Sequence, residues 1–304
     1  MKYYCCDRCG YSFKRIGHLI SHYYKKTICK KNINKTLKYQ NKSPLRYIGD
    51  KYYNFNVLDS IINSKINIKN YDTLLVPFYE KGSIELLMQS KYQLKIIANA
   101  KCYYAYCFWK SCKYDNINLY HFLKNIPQKL NQKKYIYLKN ILYKSDNYFN
   151  IAFYYYRLNR SSHSGDIFNH GYGHNILSKN RKSIKNINII KNLNLKDNFF
   201  IYNNNDIYTF LHNHYDINDK KTLIFLYPDN FVSTKVSNFS HEQLYNYLKT
   251  KINWILIYND SEYIKELYKD FIIISGCIGR SWLKYKKNIY NKYETIIFYI
   301  KKTL

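Results

Sequence analysis

The chain has 304 residues, 46% of them hydrophobic, so it can bury a large core and is not wholly disordered. Its 49 basic residues face only 20 acidic ones, and the resulting formal charge of +29 predicts a polyanionic partner, above all nucleic acid. The sequence has neither an apolar run of membrane-spanning length nor an apolar signal core, so we expect an intracellular protein without a membrane partner.

The first thirty residues hold a Cys/His pattern typical of a small zinc domain. Cys6 and Cys9 are separated by two residues, twelve more lead to His22, and six more lead to Cys29. So short a segment cannot bury enough apolar surface to fold alone, and a tetrahedral Zn(II) with thiolate and imidazole ligands supplies the missing free energy. Cys5 is a candidate substitute for Cys6, but the two-residue gap favours Cys6.

Phe13 and Leu19 occupy the spacing that gives a zinc finger its small core. Residues 1–30 therefore resemble the Cys-Cys-His-Cys variant of the ββα finger, which is common singly at the ends of giant-virus proteins. The resemblance implies a helix from about Arg15 to beyond the histidine ligand, with Arg15, His18 and Ser21 facing the bases. Since one finger covers about three base pairs, it would assist a larger DNA-binding body; binding of a protein partner is the alternative.

Residues 31–43 are polar, basic and without periodicity, which predicts a linker. In the main domain, 44–304, apolar runs of strand length alternate with helix-like segments, and this rhythm predicts a mostly parallel, doubly wound, Rossmann-like α/β sheet. Residues 113–200 lack the rhythm and are basic, aromatic and helix-leaning, so we expect an inserted subdomain there. The predicted strands are 73–78, 94–100, 222–227, 253–260, 271–275 and 294–300.

Five segments of the main domain carry a family resemblance. They read SPLRYIGDK (43–51), VPFYEKGS (76–83), RLNRSSHSG (157–165), FSHEQL (239–244) and WILIYNDSEYIKELYKDFIII (254–274). Together they resemble the Dam-like N(6)-adenine-specific DNA methyltransferases, especially the viral and phage branch, over nearly all of 44–304. The resemblance implies a methyltransferase sheet, double-stranded DNA as partner and a target-recognition role for 113–200.

The family's target-base loop is only partly kept. In the family an Asp-Pro-Pro-Tyr loop receives a flipped adenine, with the Asp and a Pro carbonyl accepting hydrogens of its amine. Here the run Tyr227-Pro228-Asp229-Asn230-Phe231 stands in its place, so the acid remains as Asp229 while Asn230 and Phe231 replace the prolines. The resemblance assigns these five residues to the catalytic site. Without the two prolines, the loop would hold the target base less rigidly.

The cofactor segment shows similar losses. The family's S-adenosylmethionine loop needs small residues so that the backbone can approach the ligand at a helix N-terminus. Bulky side chains fill 79–81, and Ala100 stands where the family has an acid for the ribose hydroxyls, unless Asp72 or Asp50 replaces that acid. The cofactor-binding residues that the resemblance implies are Tyr47, Gly49, Lys51, Pro77, Phe78, Gly82 and Ser83.

The DNA-recognition segment is better preserved. Residues 159–175 correspond to the start of the family's target-recognition region, and a basic stretch follows them. Basic side chains there predict phosphate contacts, although a solvated basic helix face is the alternative. The DNA-binding candidates are Arg157, Asn159, Arg160, Ser161, Lys179, Arg181, Lys182 and Lys185.

Loss of the glycines, the ribose acid and the proline turn in one chain argues against efficient catalysis. The sequence therefore predicts a DNA-binding viral protein on a methyltransferase fold, with weak or absent methyl transfer, in the host cytoplasm or a viral factory or with the virion. One alternative is an active adenine methyltransferase in which Asp229 polarises the amine. A second alternative, a structural DNA-organising or virion protein, rests on the positive charge alone.

Overall fold

The structure, a computed structural model of the chain, describes residues 4–6, 12–23, 42–46, 55–126, 130–169, 171–173, 181–228, 240–277 and 293–299. Nine of the predicted site residues lie outside the described residues. They are Cys9, Cys29, Tyr47, Gly49, Lys51, Lys179, Asp229, Asn230 and Phe231.

The described residues form helices and strands in alternation. The helices are α1 (Ile16–Tyr23), α2 (Phe55–Asn63), α3 (Glu85–Tyr92), α4 (Tyr103–Tyr114), α5 (Asn116–Lys124), α6 (Gln132–Lys144), α7 (Tyr148–Ser161), α8 (Arg181–Asn192), α9 (Ile207–His214), α10 (His241–Leu248) and α11 (Glu262–Leu267). The strands are β1 (Tyr4–Cys5), β2 (Ser12–Phe13), β3 (Thr73–Val76), β4 (Lys95–Asn99), β5 (Phe199–Tyr202), β6 (Thr222–Leu226), β7 (Trp254–Asn259), β8 (Ile272–Cys277) and β9 (Tyr293–Tyr299).

Seven strands form one sheet in the order β5-β4-β3-β6-β7-β9-β8. The pairs β4/β5, β3/β6 and β6/β7 are parallel, whereas β9 runs antiparallel to both β7 and β8. The predicted mixed α/β fold with a mostly parallel sheet is therefore confirmed. Each of the six predicted strands is present, and β5 is an additional strand that lies at the end of the predicted insertion.

The chain divides into two compact units. The terminal unit comprises Met1–Lys38, Lys51–Leu75 and Tyr215–Leu304, and the central unit comprises Tyr39–Asp50 and Val76–His214. In the terminal unit β6 is buried at all five positions, as expected of an interior parallel strand covered on both faces. Trp254 of β7 is also fully buried, and its indole nitrogen donates a hydrogen bond to the Leu248 carbonyl at the end of α10.

The central unit is built on β4 and β5, with helices between them in the chain. α4 packs against α7 through the parallel rings of Phe108 and Tyr156, whose centroids lie 5.9 Å apart. Helices α5 to α8 occupy most of the stretch in which the sequence predicts an insertion. Among the described residues, no helix is both long and apolar enough to cross a membrane.

Candidate functional site

The loop that joins β3 to α3 turns its largest side chain inward. Tyr79 is fully buried, and its ring packs against Trp109 and Phe199 with centroid distances of 5.4 Å to each. Its hydroxyl lies beneath Gly82, which has a φ of +65°, so a β-carbon at Gly82 would overlap the phenol. The space under the loop is therefore occupied by the protein's own side chain, and glycine is required above it.

The other bulky residues of this loop are held by the central unit as well. The Trp109 indole nitrogen donates to the Glu80 carbonyl at 2.9 Å, and the Lys81 ammonium donates to the Tyr155 hydroxyl at 3.2 Å. The Ser43 hydroxyl donates to the carbonyl of Lys81. Burial lowers the pKa of Lys81, but Tyr155 and Glu80 outweigh it and leave the pKa above its ordinary value. The lysine thus stays charged and anchors the loop.

A buried carboxylate occupies the N-terminus of α3. Glu85 is only 6% exposed, and its Oε2 accepts a hydrogen bond of 3.2 Å from the Ile84 amide, one of the free donors at the start of the helix. Burial raises the pKa of Glu85 to about 7, against the smaller opposing effect of its backbone hydrogen bonds. A negatively charged ligand group at this helix start would meet a donor that is already used and a side chain that repels it.

The carboxyl end of β4 is closed by amide side chains. Asn99 is fully buried: its Oδ1 accepts from the Asn204 amide at 2.8 Å, and its Nδ2 donates to the carbonyls of Asn204 and Pro77 at 3.2 and 3.4 Å. The Asn203 side chain donates to the Ala100 carbonyl at 2.7 Å. Asparagine side chains therefore bind backbone amides and carbonyls at the position where the resemblance implies a ribose acid.

Asp72 does not replace that acid. It precedes β3 and is exposed, and its amide donates to the Lys221 carbonyl at 3.0 Å at the amino end of the parallel β3/β6 pair. Ligands of such sheets bind at the carboxyl ends of the strands. In the described loop Pro77 and Gly82 are buried and Phe78 and Ser83 half-buried. Because the Tyr79 side chain already fills the space beneath Gly82, the residues present fit S-adenosylmethionine poorly.

The RLNRSSHSG segment forms an internal clasp, which we define as Arg46, Asn159, Arg160, Ser162 and Gly165. The Asn159 Oδ1 accepts from the Arg46 amide at 2.8 Å, and its Nδ2 donates to the carbonyls of Gly165 and Arg46 at 2.6 and 3.1 Å. Gly165 has a φ of +83°, and a β-carbon there would overlap the Arg46 carbonyl. The Arg46 guanidinium donates to the carbonyls of Ser162 and Arg160.

The clasp changes the role of several residues that the sequence assigns to DNA. Asn159 and Ser161 are buried at 0% and 1% exposure, so their side chains support α7 and its neighbours from within. The Arg160 guanidinium donates to the Pro44 carbonyl at 3.5 Å, and that of Arg157 lies over the Phe153 ring. The three basic residues predicted further along occupy the first part of α8: Arg181, Lys182 and Lys185.

Two residues of the target-base segment are described. β6 ends at Leu226, and Tyr227 and Pro228 follow it, half-buried and buried respectively. The segment thus leaves the sheet at the carboxyl end of a parallel strand, as the sequence predicts. Its acid, Asp229, lies outside the described residues.

The N-terminal segment has a ββα arrangement. β1 and β2 pair antiparallel, with Tyr4 opposite Phe13, and α1 follows them. Cys6 is 1% exposed, and the His22 ring lies 5.0 Å from that of Phe13. Within the described ranges no three His, Cys, Asp or Glu residues are grouped to hold a metal, and two of the four predicted zinc ligands, Cys9 and Cys29, lie outside those ranges. The predicted base-facing residues Arg15, His18 and Ser21 are exposed.

No protein-family model matches the chain, and no curated protein matches it. The arguments for function therefore rest on the chain's own residues. Sequence reasoning missed Glu85 and Tyr155, because a single acid or tyrosine in a helix carries no signal of its burial. It also missed the partners of Asn99, although three asparagines at 203–205, directly after an aromatic strand, mark a polar strand end.

Proposed function

We propose that this protein binds double-stranded DNA on a scaffold related to the adenine-specific DNA methyltransferases, and that methyl transfer by it is weak or absent. The observation that carries the second part is the β3–α3 loop. Its underside holds the Tyr79 ring, and the helix start beside it is capped by the Glu85 carboxylate. The space beneath the loop and the donor at the helix start are therefore already used, which leaves few groups that could bind a methyl donor.

The sheet supports the choice of scaffold. Numbered from β3, the strands follow the order 3-2-1-4-5-6 of a Rossmann-like sheet, with β9 inserted between the last two. The order reverses between β3 and β6, and the segments that the resemblance assigns to cofactor and target base follow these two strands.

Charge supports the choice of DNA. Forty-nine basic residues against twenty acidic ones provide many cationic side chains that can contact DNA phosphates. Such binding would release the counterions condensed on the duplex. The exposed residues His18 and Ser21 of α1, with Arg15 directly before the helix, add a small surface that can reach a groove. The same helix can instead contact a protein partner.

Zinc fits the N-terminal segment as far as the structure describes it. Cys6 lies directly after β1 and is buried, as is Leu19, and the ring of His22 on α1 lies beside that of Phe13. Cys9 and Cys29 would complete the ligand set. Bound Zn(II) would supply the folding free energy that so few apolar residues cannot.

The proposal is tested by two binding measurements on the full chain. We expect a labelled duplex to bind with an affinity that falls steeply as salt is raised, and isothermal titration with S-adenosylmethionine to give no measurable heat of binding. Absence of duplex binding at low salt would refute the DNA part. Saturable binding of the methyl donor would refute the impaired-cofactor part.

An active methyltransferase is the second candidate, because the Tyr227-Pro228-Asp229 segment follows a parallel strand at its carboxyl end. Methyl incorporation into duplex DNA separates the two candidates. The chain is compared with Asp229→Ala and with Asp197→Ala, an exposed acid that precedes β5. Labelling that is lost only in Asp229→Ala would establish the enzyme; we expect no labelling above background in any of the three.

A further inference from the structure

A band of aromatic side chains and lysines lies on the exposed side of α4 in the central unit. We define this aromatic–lysine face by Tyr103, Tyr104, Tyr106, Lys110, Tyr143 and Phe168. Tyr103, Tyr143 and Phe168 are 47%, 49% and 43% exposed. Aromatic rings left this open cost free energy in water, so a cluster of them indicates a binding surface more than single exposed rings do.

The rings form a connected series. Tyr103 and Tyr106 lie with centroids 6.1 Å apart and planes at 28°, close to parallel. Tyr104 contacts Phe168 at 5.5 Å and Tyr143 of α6 at 6.2 Å. Because Tyr103, Tyr106 and Lys110 are spaced by three and four residues, they share one side of the helix. The face therefore presents several flat surfaces side by side on rigid helices.

Cations are interleaved with these rings. The Lys110 ammonium lies 5.6 Å from the Tyr106 ring and 4.9 Å from that of Tyr148, and the Lys139 ammonium lies 5.9 Å from the Tyr143 ring. Residues 101–170 contain eleven Lys and Arg but only three acids. These acids are Asp115, which accepts from the Tyr148 hydroxyl, Asp146, whose charge is the smallest of the causes that raise the pKa of Tyr103, and Asp166, whose Oδ1 accepts from the backbone amides of Phe168 and Asn169.

We propose that the aromatic–lysine face binds single-stranded nucleic acid, with bases stacked on the tyrosine and phenylalanine rings and lysines contacting the phosphates. Flat π-faces accept any base and lysines neutralise the backbone, which is the combination that single strands require. In a duplex the base faces are already stacked on one another, so they are not available to stack on the protein's aromatic rings. The inference goes beyond the proposed duplex binding and does not need catalysis.

The test is fluorescence anisotropy of the full chain with a labelled oligothymidylate and, separately, a labelled duplex. We expect the double variant Tyr103→Leu/Tyr106→Leu to weaken oligothymidylate binding about tenfold or more, because stacking on each ring contributes strongly. Duplex binding should change less than about twofold. Leucine keeps apolar bulk on α4 while removing the flat ring, so the helix should remain folded.

Tyr137→Leu is the matched control. Tyr137 is 64% exposed on α6, but two residues from Lys139, and thus on the other side of that helix from Tyr143. We expect it to leave oligothymidylate affinity unchanged. Lys110→Gln should reduce the slope of log affinity against log salt by about 0.7 for the single strand, the value for one phosphate contact.

The outcomes separate this inference from the proposed function. Duplex binding without oligothymidylate binding would overturn the inference alone, and binding of neither would overturn both. Equal losses for single strand and duplex in the tyrosine variant would also overturn stacking. If that variant does not fold, photo-crosslinking of the unaltered protein to a bromodeoxyuridine oligonucleotide decides: crosslinks in the Tyr103–Lys110 peptide support the face, and crosslinks only elsewhere refute it.

Discussion

The clasp and the β3–α3 loop belong to the same unit, yet their side chains do different work. In the clasp, Asn159 and Gly165 each make contacts that hold the backbone inside the protein. In the loop, the Tyr79 ring packs against Trp109 and Phe199, and Lys81 binds the Tyr155 hydroxyl. The clasp therefore holds backbone groups, whereas the loop fills the space beneath it with its own side chains.

The largest test of this comparison is Asn159→Ala. The substitution removes three hydrogen bonds and leaves a buried carbonyl of Gly165 and half-buried backbone groups of Arg46 without them, so we expect a loss of about 3–5 kcal/mol in the free energy of unfolding. Chemical denaturation followed by circular dichroism measures it. Asn150→Ala, an exposed position on the same helix, should change stability by less than about 0.5 kcal/mol. A small loss for Asn159→Ala would mean that the clasp is not structural.

Gly165→Ala tests the same clasp through the backbone. Alanine is strained at a φ of +83°, and its β-carbon would overlap the Arg46 carbonyl, so we expect a loss of about 2–3 kcal/mol. Gly171→Ala is the control, because nothing lies within 4 Å of the added atom there. Equal midpoints of thermal unfolding for the two variants would contradict the close approach of Gly165 to the Arg46 carbonyl.

Glu85→Gln tests the loop side through pH. Burial raises the pKa of Glu85 from 4.5 to about 7, so the folded state holds its proton more tightly than the unfolded state does. The glutamate therefore costs stability increasingly as pH rises from about 4.5 to about 7, and fully above that. Glutamine can still accept from the Ile84 amide without this cost.

We expect Glu85→Gln to gain about 2 kcal/mol in unfolding free energy near pH 8 and almost nothing near pH 4.5. Denaturation curves at the two pH values measure the difference. Glu262→Gln, at the exposed start of α11, should show no such gain. A Glu85→Gln gain that is independent of pH would show that the carboxylate is not the cause.

Tyr79→Phe is the smallest test. The Tyr79 hydroxyl is buried and has no hydrogen-bond partner among the described residues, while the ring provides the packing against Trp109 and Phe199. Removing the hydroxyl should therefore leave stability unchanged or raise it by up to about 1 kcal/mol. A loss of stability of more than about 1 kcal/mol, measured by thermal unfolding, would show that the Tyr79 hydroxyl makes a hydrogen bond in the native loop.

The sheet was predictable because its strands are continuous apolar runs with turn residues after them, and their order along the chain is that of a doubly wound fold. β5 was missed because its four residues lie at the end of residues 113–200, for which the sequence predicts a helix-leaning insertion, although the turn residues Asp197 and Asn198 come directly before it. The direction of the Tyr79 side chain could not be predicted, because composition shows that a residue is large but not which side of the loop it occupies. Asn159 was assigned to DNA for the same reason: a polar residue in a recognition segment looks exposed until its burial is known.

The position of β9 has a consequence for synthesis of the chain. β7 and β8 are adjacent in sequence but do not pair with each other, because the much later β9 lies between them. Until residues 293–299 have emerged from the ribosome, both strands present unpaired edges that invite wrong partners. A nascent chain therefore lacks the strand that joins β7 to β8 until residues 293–299 are available, and a product truncated before this strand would be prone to aggregate.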